Sequence, residues 1–147
     1  MLHDWMTANL SYDKYMVTKL GDKDRFIANG SSNWNVYYTH AGVCRDFVNI
    51  YTIMCRELEI PCATVEANGR NHTWNIVYLN GEWIEVDVTK DIKRIVYKED
   101  VTDVSNADTT ICYNTFLNHW TSGKFDDKTS IGWSIYTKDH LTNGFPK

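Results

Sequence analysis

The chain has 147 residues and a mass of 17.1 kDa, the size of one domain able to bury a real core. It is 43% hydrophobic and 14% aromatic, which takes it well outside the range of disordered chains. A net charge of −4, with Lys and Arg scattered, excludes the basic footprint of a nucleic-acid binder and any polybasic membrane patch.

No run approaches the roughly 18 apolar residues of a spanning helix, so no membrane span is expected, and the N-terminus lacks the apolar core of a signal peptide. Location and oligomeric state stay open. Residues 2–9 read as a short helix with Leu2, Trp5 and Met6 on one side. Residues 10–30 are polar, end in Asn29-Gly30, and read as a long surface connection. Ser31-Ser32 offers N-cap chemistry ahead of Trp34, Tyr37 and Tyr38, which predicts a second short helix. Gly42 then breaks the chain. Apolar residues at 44, 47, 48, 51, 54, 55 and 58 form a helical stripe that closes at Glu59-Ile60-Pro61. This is the strongest helix in the sequence, and Cys44 occupies its first turn on the inward face.

A strand over 62–66 and a loop over 67–71 follow. Residues 72–79 and 82–88 are rich in Trp, Ile, Val and Tyr and are separated by Asn80-Gly81, the signature of a two-residue hairpin. Further on, 93–98 reads as a strand, 114–120 as helical, and 131–136 alternates like an edge strand.

The hairpin fixes a geometry. A two-residue turn sets Leu79 against Glu82 and Tyr78 against Trp83, and counting outward sets Trp74 against Asp87. His72 and Asp87 are then diagonal neighbours on one face, about 7–8 Å apart at the backbone and within side-chain reach. Asp87 also reads as a strand-end acid in a turn with Thr89. The face shared by His72, Trp74, Ile76, Tyr78 and Trp83 is the more aromatic one, and the Cys44 helix is expected to cover it. The thiol at the helix start would then meet His72 at the strand start. A helix N-terminus and a neighbouring imidazolium favour thiolate over thiol, and Asp87 would hold the ring in its tautomer. The Cys44 N–H is placed to donate to an oxyanion.

The other cysteines, at 55, 62 and 112, add neither a disulfide scaffold nor a Cys-x-x-Cys pair, so no metal site is expected. Cys55 and Cys62 read as buried free thiols, with a bridge between them as the alternative. His3, His40, His119 and His140 read as ordinary polar residues, and Arg45-Asp46 as a solvated helix face.

Gly42-Val43-Cys44, a helix ending Leu58-Glu59-Ile60-Pro61, then His72-Thr73-Trp74-Asn75, and a hairpin running from Asn80-Gly81 to Asp87-Val88-Thr89 together resemble the transglutaminase-like domain. The resemblance lies in the order and spacing of motifs within 42–91. It implies a single α+β domain over 1–147, of papain-like, transglutaminase-like architecture, with a central Cys-bearing helix packed on an antiparallel β-sheet. It also implies that Cys44 is the nucleophile, His72 the general base and acid, and Asp87 the residue that orients the imidazole. The activity implied is thiol-dependent acyl transfer on peptide or protein amides through a thioester, with no metal or organic cofactor. Hydrolysis is expected over transamidation, because a bare domain has no added module to keep water from a thioester. Three residues depart from the family pattern: Glu59 replaces the usual Gly, Val88 the usual Pro, and Lys90 a frequent Trp. For a second oxyanion donor, Tyr37, Tyr38 and Trp34 are the candidates; Trp74 and His40 are candidates for lining the substrate cleft. Two alternatives stay open: a catalytically inactive binding domain of a cell-surface protein, and a structural domain in which Cys44 pairs with another cysteine.

Overall fold

The structure is a computed structural model that describes residues 2–19, 32–67, 72–96, 118–119 and 129–133. Helix α1 (Leu2–Asn9) leads through β1 (Ser11–Asp13) into α2 (Lys14–Lys19). Helix α3 (Ser32–Thr39) and the two-residue β2 (Ala41–Gly42) precede the long α4 (Cys44–Glu57). Strands β3 (Cys62–Ala67), β4 (His72–Leu79) and β5 (Glu82–Val86) follow, then the four-residue α5 (Val88–Asp91), β6 (Ile95–Val96), β7 (Asn118–His119) and β8 (Thr129–Trp133).

The main sheet has the order β7-β5-β4-β3-β8, with antiparallel pairing throughout. The turn between β4 and β5 has Asn80 at φ 52° and Gly81 at φ 89°, both left-handed, as a primed two-residue turn requires. The predicted register follows: Leu79 pairs with Glu82 and Tyr78 with Trp83. Helix α4 buries Phe47, Tyr51 and Cys55 against Cys62, Val77 and Val86. That face is the opposite of the expected one. The aromatic face instead forms its own cluster of Ala63, Val65, Ile76 and Trp83, flanked by Trp74 and Tyr78. Both faces of the hairpin are apolar, so side-chain alternation identifies two buried faces without saying which one the helix takes.

Helix α4 is well closed at both ends. At its start the Asp46 carboxylate accepts from the Val43 N–H at 2.9 Å, which satisfies one of the orphan donors of the first turn. Asp46 is therefore buried rather than part of a solvated face; only Arg45 is exposed. At the other end Ile60 N–H bonds Cys55 O at 2.8 Å and Glu59 N–H bonds Arg56 O at 3.1 Å. This is the paired closure of a Schellman turn, and it puts Glu59 at φ 56°, where glycine is the usual occupant. The Gly-to-Glu departure therefore falls on a left-handed residue.

Several elements differ from expectation at short strands, which carry too few residues to show a period. Residues 11–19 are not a plain connection: β1 runs parallel between β2 and β6 as a second small sheet, and α2 follows it. The strand expected to reach 88 stops at Val86, because Asp87 leaves the ladder to cap α5. Asn118–His119 is strand rather than helix, and the rest of 114–120 lies outside the described residues. Ile95–Val96 and the stretch Thr129–Trp133, on the sheet edge beside β3, fall where strands were expected, though the first begins at 95 rather than 93; 97–98 and 134–136 lie outside the described residues. No helix among the described residues is long and apolar enough to cross a membrane.

Candidate functional site

Cys44 is the first residue of α4, held there by contacts on the chain before it. Gly42 has no left-handed φ; its place is set by space instead. A Cβ on it would lie 2.6 Å from Val36 Cγ2 and 3.0 Å from both Cβ and Oδ2 of Asp46. The break expected at Gly42 is thus a close approach: α3 and the first turn of α4 pack onto bare backbone. Cys44 itself is 5% exposed, less open than a turn-mounted thiol would be.

His72 opens β4 at the end of the sheet, and Asp87 follows the last residue of β5. Their separation in the register predicted a diagonal pair, and the two side chains meet: His72 Nε2 lies 2.7 Å from Asp87 Oδ2. The ring also hydrogen-bonds the Cys44 side chain. With Nε2 committed to Asp87, Nδ1 is the atom left to face the sulfur. Because α4 lies across the other face of the hairpin, this meeting happens round the end of the strand, where the ladder has already stopped at Asn75 and Val86. Trp74 stacks on the His72 ring at 5.7 Å between centroids, with 22° between planes. Asp87 is buried and His72 is 23% exposed, so the ring joins a covered acid to a reachable edge.

The electrostatics follow from these bonds. The hydrogen bond to Asp87 raises His72 first, the bond to Cys44 adds to it, and burial opposes both; the result is a pKa pushed from 6.5 up to about 9. At neutral pH the ring is therefore an imidazolium. Asp87 carries further bonds: Oδ1 caps α5 by accepting from Lys90 N–H at 3.2 Å, and Oδ2 lies 3.3 Å from Lys90 Nζ. The strand-end role and the histidine-binding role fall on the same carboxylate. Lys90 Nζ also stands 5.8 Å from the centre of the Trp74 ring, so the residue that replaces a frequent Trp lies at the edge of this group.

The remaining predicted residues divide. Asn75 lies under α4 and donates to Thr52 Oγ1 at 3.0 Å and Cys62 Sγ at 3.4 Å, tying strand to helix. Cys55 and Cys62 are buried free thiols, and the hydrogen bond to Cys62 together with burial pushes the Cys55 thiol up, away from thiolate. Cys112 lies outside the described residues. Tyr37 and Tyr38 are exposed and meet edge to face at 5.4 Å; Trp34 lies in the same helix. His40 sits at φ 56° just past α3, with its carbonyl accepting from Ser11 N–H and its Nδ1 3.3 Å from Asn9 O, so its partners are the small sheet and α1. Among the described residues no group of His, Cys, Asp and Glu has the arrangement of a metal site.

Two features went unread in the sequence. Asp46 at the third position of α4 makes only the carboxylate half of a capping box, accepting from the Val43 N–H, because the valine side chain has no acceptor to return the bond. His3 is not an ordinary polar residue: it is fully buried, with Nε2 2.9 Å from Oδ2 of an equally buried Asp91. Nothing local to His3 announces a partner so far along the chain.

Comparison with known proteins agrees with the motif order. The profile of the transglutaminase-like superfamily matches residues 1–88 of the 147. Kyphoscoliosis peptidase of Mus musculus is 25% identical over 126 residues, covering 76% of this chain and 17% of the relative. The chain thus spans about a sixth of the length of that curated relative. A crystal structure described as a cysteine protease from Cytophaga hutchinsonii superposes with a TM-score of 0.44 at 19% identity, over 90% of this chain and 39% of the other. Another, described as a TGase, gives 0.46 at 15% identity, over 86% and 30%. The order of the motifs and the profile spanning the Cys helix and the hairpin lead to one conclusion: this chain belongs to the transglutaminase-like superfamily.

Proposed function

We propose that the chain is a thiol-dependent acyl-transfer enzyme acting on peptide or protein amides, with Cys44 as nucleophile, His72 as acid and base, and Asp87 holding the imidazole. The observation that carries this reading is the His72 ring, bonded at once to Asp87 and to Cys44. The cysteine-to-imidazolium contact supplies the nucleophile, and the carboxylate on the far ring nitrogen fixes its orientation.

In the acylation step the Cys44 thiolate attacks the amide carbonyl carbon. The oxyanion forms beside the Cys44 backbone N–H, which by its place at the helix start lies outside the intrahelical ladder. The C–N bond then breaks, His72 gives its proton to the departing amine, and a thioester remains. In deacylation His72 takes a proton from water, the hydroxide adds to the thioester carbonyl, and the C–S bond breaks to give a carboxylic acid and the thiolate. Hydrolysis is the favoured outcome, in keeping with the peptidase name of the mouse relative. An amine in place of water would give transamidation by the same steps.

Alkylation by iodoacetamide near pH 6, mapped by mass spectrometry, tests the nucleophile. Cys44 is expected to label faster than Cys55 or Cys62, and His72→Ala to remove the difference. Amide cleavage in a glutamine-containing peptide library, followed as acid and amine products, tests the reaction. Turnover undiminished in Cys44→Ser would defeat the mechanism.

A further inference from the structure

Asp87 is only as well placed as α5, and α5 is four residues long, too short to hold its own shape. Its fixing comes from behind. Asp91, the last residue of α5, sends its N–H to Asp87 O at 3.2 Å, so the two acids stand at opposite ends of one turn. The Asp91 carboxylate is bound by His3 Nε2 at 2.9 Å, with neither side chain exposed. Three residues on, Arg94 grips the end of α1 from the same side. Its Nε and Nη2 donate to Leu10 O at 3.0 and 2.8 Å, and Nη2 reaches Thr7 O at 3.4 Å. These donors satisfy carbonyls that the helix end leaves orphaned. Helix α1 therefore grips the 87–94 segment at two points, and the same segment carries the Asp87 carboxylate that bonds His72.

We propose that His3 is a positioning residue of the site: through Asp91 it holds α5 where Asp87 reaches the His72 ring. The inference rests on the proposed role of Asp87 and adds a residue remote from it in sequence. His3 touches no reacting atom. Its effect passes through one turn of helix, whose backbone links Asp91 to the Asp87 carbonyl and whose first turn the Asp87 side chain caps.

The test reads the His72 titration by NMR in the full chain, well below the unfolding temperature. In the wild type the midpoint is expected near 9, against an ordinary value of 6.5. In His3→Ala it should fall by a unit or more, and Cys44 alkylation at pH 7 should slow roughly tenfold. His3→Phe fills the same space without a donor and carries the same expectation should the alanine chain not fold. His3→Gln, which keeps a donor of similar reach, should restore the midpoint. Thr7→Val is the control: it removes the Thr7 Oγ1 bond to His3 O at 3.0 Å and loosens α1 without touching Asp91. It should lower the melting temperature and leave the midpoint in place. A folded His3→Ala or His3→Phe chain with an unmoved midpoint overturns the inference, as does a Thr7→Val chain whose midpoint falls equally. The midpoint is read without turnover, so a chain that titrates as expected but transfers no acyl group defeats the proposed function alone.

Discussion

Two His–Asp pairs take their acids from the two ends of one helical turn, and they are built to opposite specifications. His72 and Asp87 meet at 2.7 Å with the ring partly open and bonded onward to Cys44. His3 and Asp91 meet at 2.9 Å with nothing exposed and the other ring nitrogen 3.2 Å from Asp4 Oδ1. The same two residue types thus form a partly open pair bonded onward to a thiol in one place and a sealed pair in the other. What separates them is the third partner and access to solvent, since distance and residue type are shared. A buried polar pair is tolerated where each member is bonded, and it then specifies geometry.

The largest effect that bears on this contrast is expected from Asp87→Asn. The amide oxygen can still accept from Lys90 N–H, so α5 keeps its cap and the chain stays folded. The charge that steadies the imidazolium is lost, and turnover of a peptide amide should fall by about 10²–10⁴-fold. A steady-state assay checks this beside a thermal melt. Unchanged turnover would reduce the open pair to a second brace. The next effect is on stability. His72 is raised from 6.5 to about 9 in the folded chain. A raised pKa stabilises fully below the unfolded value, and the contribution is lost as pH climbs through the folded value. Wild type should therefore lose stability relative to His72→Gln between pH 6.5 and about 9, by about 2–3 kcal/mol at roughly 1.4 kcal/mol per unit. Urea melts across that window measure it. Parallel curves for the two chains would mean that the bond to Asp87 is not made in solution.

The open pair was legible because its information is local. Asn80-Gly81 sets a register, and a register read outward places His72 beside Asp87. The Cys helix was legible from its stripe, and the family motifs fixed the order of the three. The face taken by α4 was not, because Val77 and Val86 on one side are as apolar as Ile76 and Trp83 on the other. The sealed pair was not legible either. His3 and Asp91 are joined by a parallel arrangement of β1 and β6, two- and three-residue strands whose pairing leaves no periodic trace. Asp46 was hidden as well, because the capping pattern begins with a polar side chain before the helix and Val43 stands there.

A milder change sharpens the comparison by supplying a sturdier background. Glu59 holds a left-handed φ of 56° at the end of α4, far along the helix from Cys44. Glu59→Gly relieves that conformation and should stabilise the chain by about 1 kcal/mol, less the extra freedom glycine has when unfolded. Thermal melts check the gain, and alkylation of Cys44 should not change. Destabilised variants of His3 can then be compared with the wild type at equal foldedness. A loss of stability would mean that Glu59 makes a compensating contact.

The smallest effect concerns Lys90, whose ammonium stands at the open pair. Its Nζ lies 3.3 Å from the Asp87 oxygen that also binds His72 and stands over the Trp74 ring. Two cations therefore share one carboxylate, and each reduces the field available to the other. The lysine side chain is 58% exposed, so solvent screens much of its influence, as in surface pairs worth about 0–1 kcal/mol. Lys90→Met removes the competing cation and keeps an unbranched chain over Trp74. The His72 midpoint should then rise above about 9, by a few tenths of a unit, because the imidazolium gains sole use of the charge. Raising salt should lift the wild-type midpoint toward that of the variant as the exposed cation is screened, while the covered bond from His72 to Asp87 persists. A midpoint that falls in Lys90→Met would show that the lysine supports Asp87 more than it competes for it, and would assign it to the brace.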